Sequence, residues 1–221
     1  MKPRTFILPA TVVCCIAVIG ILQSDLHRTT GTKWQQESMT YLPGGSNSKD
    51  AFLGFEMTVA HYLWIRMILY FGGHTMTDKQ YPWLVDMIDI ITRLCPWFYQ
   101  PYEFAGLMIP DVCDDPGAAR VILERGLTYL GVKRWNIAFY MGMIYYKYYD
   151  DRQTAADYFA RAAMVPSKHR AKLATLAHSF YKKAGSPQEG WRFLSFVYET
   201  SENPDVRRHL AQKMKDMSLQ Q

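Results

Sequence analysis

Hydrophobic residues recur every three or four positions through most of residues 50–221, which is the spacing of helices with one buried face. The regular positions are clearest in one stretch, at Trp83, Leu84, Met87, Ile88, Ile91 and Leu94. Proline or glycine interrupts the pattern at intervals, as at Pro96, Gly131 and Pro166. The pattern therefore predicts an all-α fold, with helices at 50–71, 77–95, 97–109, 116–129, 134–149, 154–164, 168–183, 186–199 and 202–217.

The first predicted helix, residues 50–71, is apolar on most of its sides and resembles a membrane span in composition. Three ionisable residues interrupt it, namely Glu56, His61 and Arg66. Each would be costly in hydrocarbon, so we expect a helix buried by its neighbours. Asp50 is its predicted cap and Gly72-Gly73 its predicted end. The alternative is a helix that lies on or in the surface of a bilayer.

A second apolar run, residues 6–22, contains no charged residue and is about as long as a short membrane span. Lys2 and Arg4 precede it, which favours a cytoplasmic N-terminus. A cleaved signal peptide would need small residues near its end, where this run has Gly20-Ile21-Leu22. We therefore expect an uncleaved signal anchor in a single-pass inner-membrane protein with its domain in the periplasm. The predicted organisation is an anchor at 1–24, a linker at 25–49 and a helical domain at 50–221.

The same pattern of residues occurs twice in the middle of the chain, with an offset of 36 positions. Gly106 and Gly142 are equivalent, and so are the turns Asp114-Asp115 and Asp150-Asp151. The second helices correspond in the same way, through Ala119, Leu123 and Gly126 and through Ala155, Phe159 and Ala162. A period near 34 residues is typical of helical-hairpin repeats.

The second copy of this pattern resembles the tetratricopeptide repeat. The matching positions are Gly142, Tyr145, Ala155, Phe159, Ala162 and Pro166. The resemblance covers roughly residues 80–204. It implies a solenoid of about three to four hairpins. Residues 202–217 would form its C-terminal capping helix, with one polar side.

In that family the first helix of each unit lines a concave groove that binds peptides. The positions implied here on one unit are Asn136, Phe139, Met143, Tyr146 and Lys147, and on the next they are Lys172, Thr175, Ser179, Lys182 and Lys183. Such a groove would be aromatic at one end and basic at the other, and would suit a partner segment with acidic and apolar residues. The alternative is that the aromatic residues are core and the lysines are a solvated face.

The chain carries no pattern that predicts catalysis, a cofactor or a metal. The paired aspartates lie in turns, where they are expected to cap the helices that follow. The six histidines have no metal-binding spacing, and His178 is expected to pack between helices. The four cysteines form no C-x-x-C pair, which leaves Cys95 and Cys113 as free thiols or, in an oxidising compartment, a disulfide. The net charge of +5 comes from scattered residues, so nucleic acid is not an expected partner.

Together these observations predict a non-catalytic protein-binding scaffold. It would dock a segment of a protein partner during assembly of an envelope, secretion or surface complex, with no small-molecule substrate. The alternative is an accessory subunit of a larger integral-membrane enzyme or transporter, which would pack through the apolar helix at 50–71.

Overall fold

The computed structural model describes residues 52, 54–131 and 133–218, and in that part of the chain it contains nine α-helices and no strand. The helices are α1 (Glu56–Thr75), α2 (Leu84–Leu94), α3 (Tyr99–Val112), α4 (Pro116–Leu130), α5 (Trp135–Tyr148), α6 (Arg152–Met164), α7 (Arg170–Lys183), α8 (Pro187–Thr200) and α9 (Pro204–Ser218). The all-α prediction is confirmed. The predicted anchor at 1–24, the predicted linker at 25–49 and Asp50, the predicted cap of the first helix, all lie outside the described residues.

Every helix packs against the next one along the chain. Several also contact the next helix but one, as α2 does with α4, α3 with α5, α6 with α8 and α7 with α9. The apolar faces therefore meet in a continuous core. Its largest side chains include Tyr102, Phe159 and Ile109, all of them fully buried.

The two aspartate turns have the same structure, one repeat apart. The side chains of Asp115 and Asp151 accept hydrogen bonds from backbone N–H groups three residues on, at 2.8 and 2.9 Å. The preceding residues, Asp114 and Asp150, have φ of 52° and 50°, the left-handed conformation that ends a helix. In each pair the second aspartate caps the helix that follows, as expected, and the first ends the helix before it, which was not predicted.

The equivalent glycines of the repeat lie directly under aromatic rings. A Cβ on Gly142 would lie 2.6 Å from Cε1 of Phe159, and a Cβ on Gly106 would lie 2.7 Å from Cβ of Tyr140. A side chain at either position would push its neighbouring helix away. The small residue therefore admits a large ring from α6 or α5 into the contact.

Helix α1 differs from its predicted bounds at its C-terminal end. It runs through Gly72-Gly73 to Thr75, although glycine is a poor helix former. The last turn is held by contacts that local sequence does not reveal, because the ring of Phe71 packs on Tyr81 and Phe104. At the other end α1 begins at Glu56, with Phe55 at the capping position.

Two further boundaries were also predicted wrongly. Helix α2 begins at Leu84 and not at residue 77, because Lys79 has φ of 56°, which a continuous helix cannot contain. Helix α3 continues through Pro110 to Val112, beyond the predicted end at Ile109. Pro110 is buried in the core.

The prediction that α1 is buried by its neighbours holds for one face only. Ala60, Leu63 and Met67 are buried, whereas Ile65 and Leu69 on the other side are 59% and 68% exposed. The described residues 54–131 and 133–218 contain no helix that is long and apolar enough to cross a membrane.

Candidate functional site

The candidate site is a set of side chains on α3, α5 and α7, in which each position on one helix has an equivalent 36 residues later on the next. We call it the α3–α5–α7 surface. On α5 it comprises the predicted Asn136, Phe139, Met143, Tyr146 and Lys147, and on α7 Lys172, Thr175, Ser179, Lys182 and Lys183. The same offset points to Gln100, Glu103, Leu107 and Asp111 on α3, which the sequence pattern did not single out, while the fifth equivalent, Pro110, is buried in the core.

Helix α5 supplies the apolar centre of the surface. Met143 and Tyr146 are 37% and 39% exposed, and Leu107, the α3 equivalent of Met143, is 48% exposed. Phe139 is half-buried, because its ring packs on Trp135, Tyr140 and Phe159. One edge of Tyr146 is fixed by the ring of Phe180 on α7, at a centroid distance of 4.9 Å. Met143 and Tyr146 of the predicted set are therefore exposed, as is Leu107 at the equivalent position on α3, and we call these three residues the apolar strip. Phe139 is engaged mainly in packing.

Helix α3 supplies an acidic flank. Asn136 and the hydroxyl of Tyr140 both donate to Oε1 of Glu103, at 3.2 and 3.3 Å. Burial, together with the nearby carboxylate, raises the pKa of Tyr140 to about 12, so its phenol keeps its proton at neutral pH. The side chain of Asn136 is thus held in place by Glu103.

Lys147, one of the predicted groove residues, has its positive charge balanced by the carboxylate of Asp111 on α3. Its Nζ and the hydroxyl of Tyr148 both donate to Oδ1 of Asp111. The hydrogen bond with Lys147, and then that with Tyr148, lowers the pKa of the Asp111 carboxyl, and the same contact raises the pKa of Lys147. Both groups stay charged at neutral pH, and they form an exposed ionic link between α3 and α5.

Helix α7 supplies the basic flank. Lys172 and Lys182 are exposed, and Nζ of Lys183 lies 5.3 Å from the centre of the Phe180 ring. The hydroxyls of Thr175 and Ser179 donate to carbonyls one turn earlier in α7, at 3.0 Å each. Positive charge is therefore the main feature that α7 presents to a partner.

Across the three helices the surface changes from acidic to apolar to basic. This order suits non-covalent recognition of a segment that carries apolar side chains and an uneven distribution of charge. Within residues 54–131 and 133–218 no three His, Cys, Asp or Glu residues are grouped so that they could hold a metal ion.

The other residues singled out from the sequence lie away from this surface. His178 is buried and packs edge-on against Trp191 of α8, at a centroid distance of 5.1 Å. Cys95 and Cys113 are half-buried free thiols. The chain matches no family model, and no match to it was found among curated proteins or solved structures.

Proposed function

We propose that this protein is a non-catalytic scaffold that binds a segment of a protein partner on the α3–α5–α7 surface. The observation that carries the proposal is the open apolar strip formed by Leu107, Met143 and Tyr146, which are 37–48% exposed on two packed helices. Scattered exposed apolar residues are ordinary on a protein surface. Here Met143 and Tyr146 share one face of α5, and Leu107 has the equivalent position on the packed helix α3, so one partner segment can cover all three.

A tetratricopeptide-like solenoid is the architecture that we propose for residues 50–221. It is supported by the repeated aspartate caps and by the contacts between helices two positions apart, such as α3 with α5 and α7 with α9. In such an arrangement the first helix of each unit faces a common surface. That surface would contain the equivalent positions of α3, α5 and α7, apart from the buried Pro110.

The charges at the two edges define the partner further. Glu103 lies on α3, where the charge of Asp111 is already balanced by Lys147, and Lys172 and Lys182 lie on α7. We propose an extended or helical segment whose apolar residues cover Met143 and Tyr146 and whose acidic residues lie towards α7. Electrostatic complementarity of this kind sets orientation and association rate more than affinity.

We also propose that residues 6–22 anchor the chain in an inner membrane, with the helical domain in the periplasm. An anchor would raise the effective concentration of the scaffold near other membrane-bound components. The role would then be to position a partner during assembly of an envelope, secretion or surface complex.

The test is photocrosslinking in intact membranes. A photoreactive residue replaces Met143 in the full chain, and a matched control replaces Arg152, which is exposed on α6 and bonded only weakly to Asp150 at 3.4 Å. We expect one protein to be captured from position 143 and not from position 152.

A second variant makes that capture specific. Leu107→Ser removes a neighbouring apolar contact without touching the crosslinker, and we expect it to weaken capture from position 143. Lys182→Glu reverses a charge on the basic flank and should do the same. Capture that is unaffected by both substitutions, or that is equal at positions 143 and 152, would show that this surface is not the binding site.

A further inference from the structure

Helix α1 has a second apolar stripe on the side that faces away from the protein. Tyr62, Ile65 and Leu69 are 57%, 59% and 68% exposed. They are spaced by three and four residues, so they lie on one face of the helix. Ile68 and Met76 extend the exposed apolar surface, at 40% and 90%.

The opposite side of α1 is firmly packed. Ala60 and Met67 are fully buried, and the ring of Trp64 meets Phe98 and Phe104 edge-on. Because this side packs on α2 and on the rings of Phe98 and Phe104, the outward stripe lies on a helix that is fixed in place. The stripe cannot be covered by a simple rotation of α1, since that would expose the packed side.

We propose that the outward stripe of α1 lies in the interfacial region of a lipid bilayer, an inference that rests on the proposed anchor at residues 6–22. That run contains no charged residue and is about as long as a short membrane span, which suits a segment that crosses a bilayer. A bilayer covers both features at once: the run crosses it, and the stripe enters only its surface.

The length of the intervening chain permits this arrangement. Residues 23–55 separate the run from α1, and at about 3.3–3.6 Å per residue they span at most roughly 100–120 Å. Any position of α1 on the nearby membrane surface is within that reach. Tyr62, Ile65, Ile68 and Leu69 are uncharged, and Arg66, one turn from Tyr62, is a basic residue of the kind that interfacial helices place at the head groups.

Contact at the surface agrees with the structure of α1 better than insertion does. One side of the helix is committed to the protein core, so only the other can meet lipid. Interfacial helices with this one-sided exposure lie in the plane of the head groups. Two attachments to the same membrane would restrict the rotation of the domain and so fix the direction in which the α3–α5–α7 surface points.

The experiment places an environment-sensitive fluorophore on single cysteines in the full chain. Cys14, Cys15, Cys95 and Cys113 are first replaced by alanine, and Ile65→Cys and Leu69→Cys are then introduced separately. Arg152→Cys and Gln212→Cys, both at exposed positions, are the matched controls. Each labelled protein is reconstituted into vesicles of phosphatidylethanolamine and phosphatidylglycerol, some of which contain lipids brominated on the acyl chain.

We expect the fluorophores at positions 65 and 69 to show blue-shifted emission and to be quenched by the brominated lipid, while those at 152 and 212 show neither effect. Emission typical of water at 65 and 69, from protein that floats with the vesicles, would overturn the lipid contact and leave the proposed anchor standing. A blue shift without quenching would also overturn it, because a second copy or another protein segment would then cover the stripe. Protein that fails to float with the vesicles would instead contradict the anchor, and the lipid contact with it.

Discussion

The two terminal helices of the described domain pack in similar ways and meet their surroundings in opposite ways. On α1 the buried residues include Leu63 and Met67, and on α9 they are Val206 and Leu210. The outward side of α9 is polar, with exposed residues Arg207, Arg208, Lys213 and Lys215, whereas that of α1 is apolar. A helix face that meets water is ordinarily polar. The outward side of α9 fits this, whereas the outward side of α1 is suited to an apolar neighbour.

The largest losses of stability should follow substitutions on the buried sides of α1 and α9, where the two helices are alike. Leu63→Ala and Leu210→Ala each remove a leucine that is 5% or less exposed, and each should lower the free energy of unfolding by about 2–5 kcal/mol. Leu69→Ala is the matched control on the outward side of α1, and we expect it to cost no more than about 0.5 kcal/mol. Denaturation of the full chain in mild detergent by guanidinium chloride measures all three. A negligible cost for Leu63→Ala would mean that α1 is not docked as the structure has it.

A smaller loss of stability should distinguish an ion pair inside the domain from one on the terminal helix α9. The guanidinium of Arg125 on α4 donates to Oδ1 of Asp89 and to Oγ1 of Thr92 on α2, at 2.8 and 2.6 Å, and it is largely buried. Arg125→Ala leaves these groups without that partner and should cost about 1–3 kcal/mol. On α9, Arg208 and Asp205 form a 3.5 Å pair in which both side chains are about 80% exposed. Arg208→Ala should therefore leave the denaturation midpoint unchanged, and equal losses from the two variants would contradict this difference.

The α9 end should also be sensitive to mild acid. Burial of His178 on α7, which packs on α9, lowers the pKa of its imidazole below the ordinary value of 6.5. The unfolded chain then binds a proton at a higher pH than the folded one does. Stability is complete above that ordinary pKa and falls as the pH drops through it. We expect the melting temperature to fall in this range in the wild type and to change less with pH in His178→Gln. His209→Gln, at an exposed position on α9, is the control, and an equal change in both variants would remove His178 as the cause.

The smallest effect on stability should come from exchanging the outward sides. Ile65→Lys makes α1 resemble α9, and Lys213→Ile makes α9 resemble α1. Both positions are exposed, so each substitution should change the free energy of unfolding by no more than about 0.5 kcal/mol. Self-association after dilution of detergent, followed by sedimentation, should fall for Ile65→Lys and rise for Lys213→Ile. No change in either variant would show that the outward sides do not control association.

Much of the fold could be predicted from the sequence because its signals are local. Helical periodicity, the caps at Asp115 and Asp151 and the 36-residue offset all depend on residues close in the chain or on exact repetition. The errors arose at helix boundaries that local sequence does not determine. Ring contacts of Phe71 stabilise the last turn of α1 beyond Gly72-Gly73, and the left-handed conformation of Lys79 means that α2 begins after that residue.

The candidate surface was predicted in part, for a similar reason. The positions on α5 and α7 came from the resemblance to the tetratricopeptide repeat, which did not show that Lys147 is paired with Asp111. The offset of 36 between these two residues was present in the sequence and could have shown the pair. The sequence also could not tell which side of α1 is packed, because its apolar residues surround the helix.

The difference between the two ends can be tested most directly by mapping lipid contacts. The full chain is reconstituted into vesicles that contain a photoactivatable phospholipid, and the labelled peptides are located by mass spectrometry. Our account predicts lipid adducts on the α1 peptide that contains Tyr62, Ile65 and Leu69 and none on the α9 peptide that contains Arg207 and Lys213. Adducts that are absent from α1, or equally frequent on both helices, would contradict it.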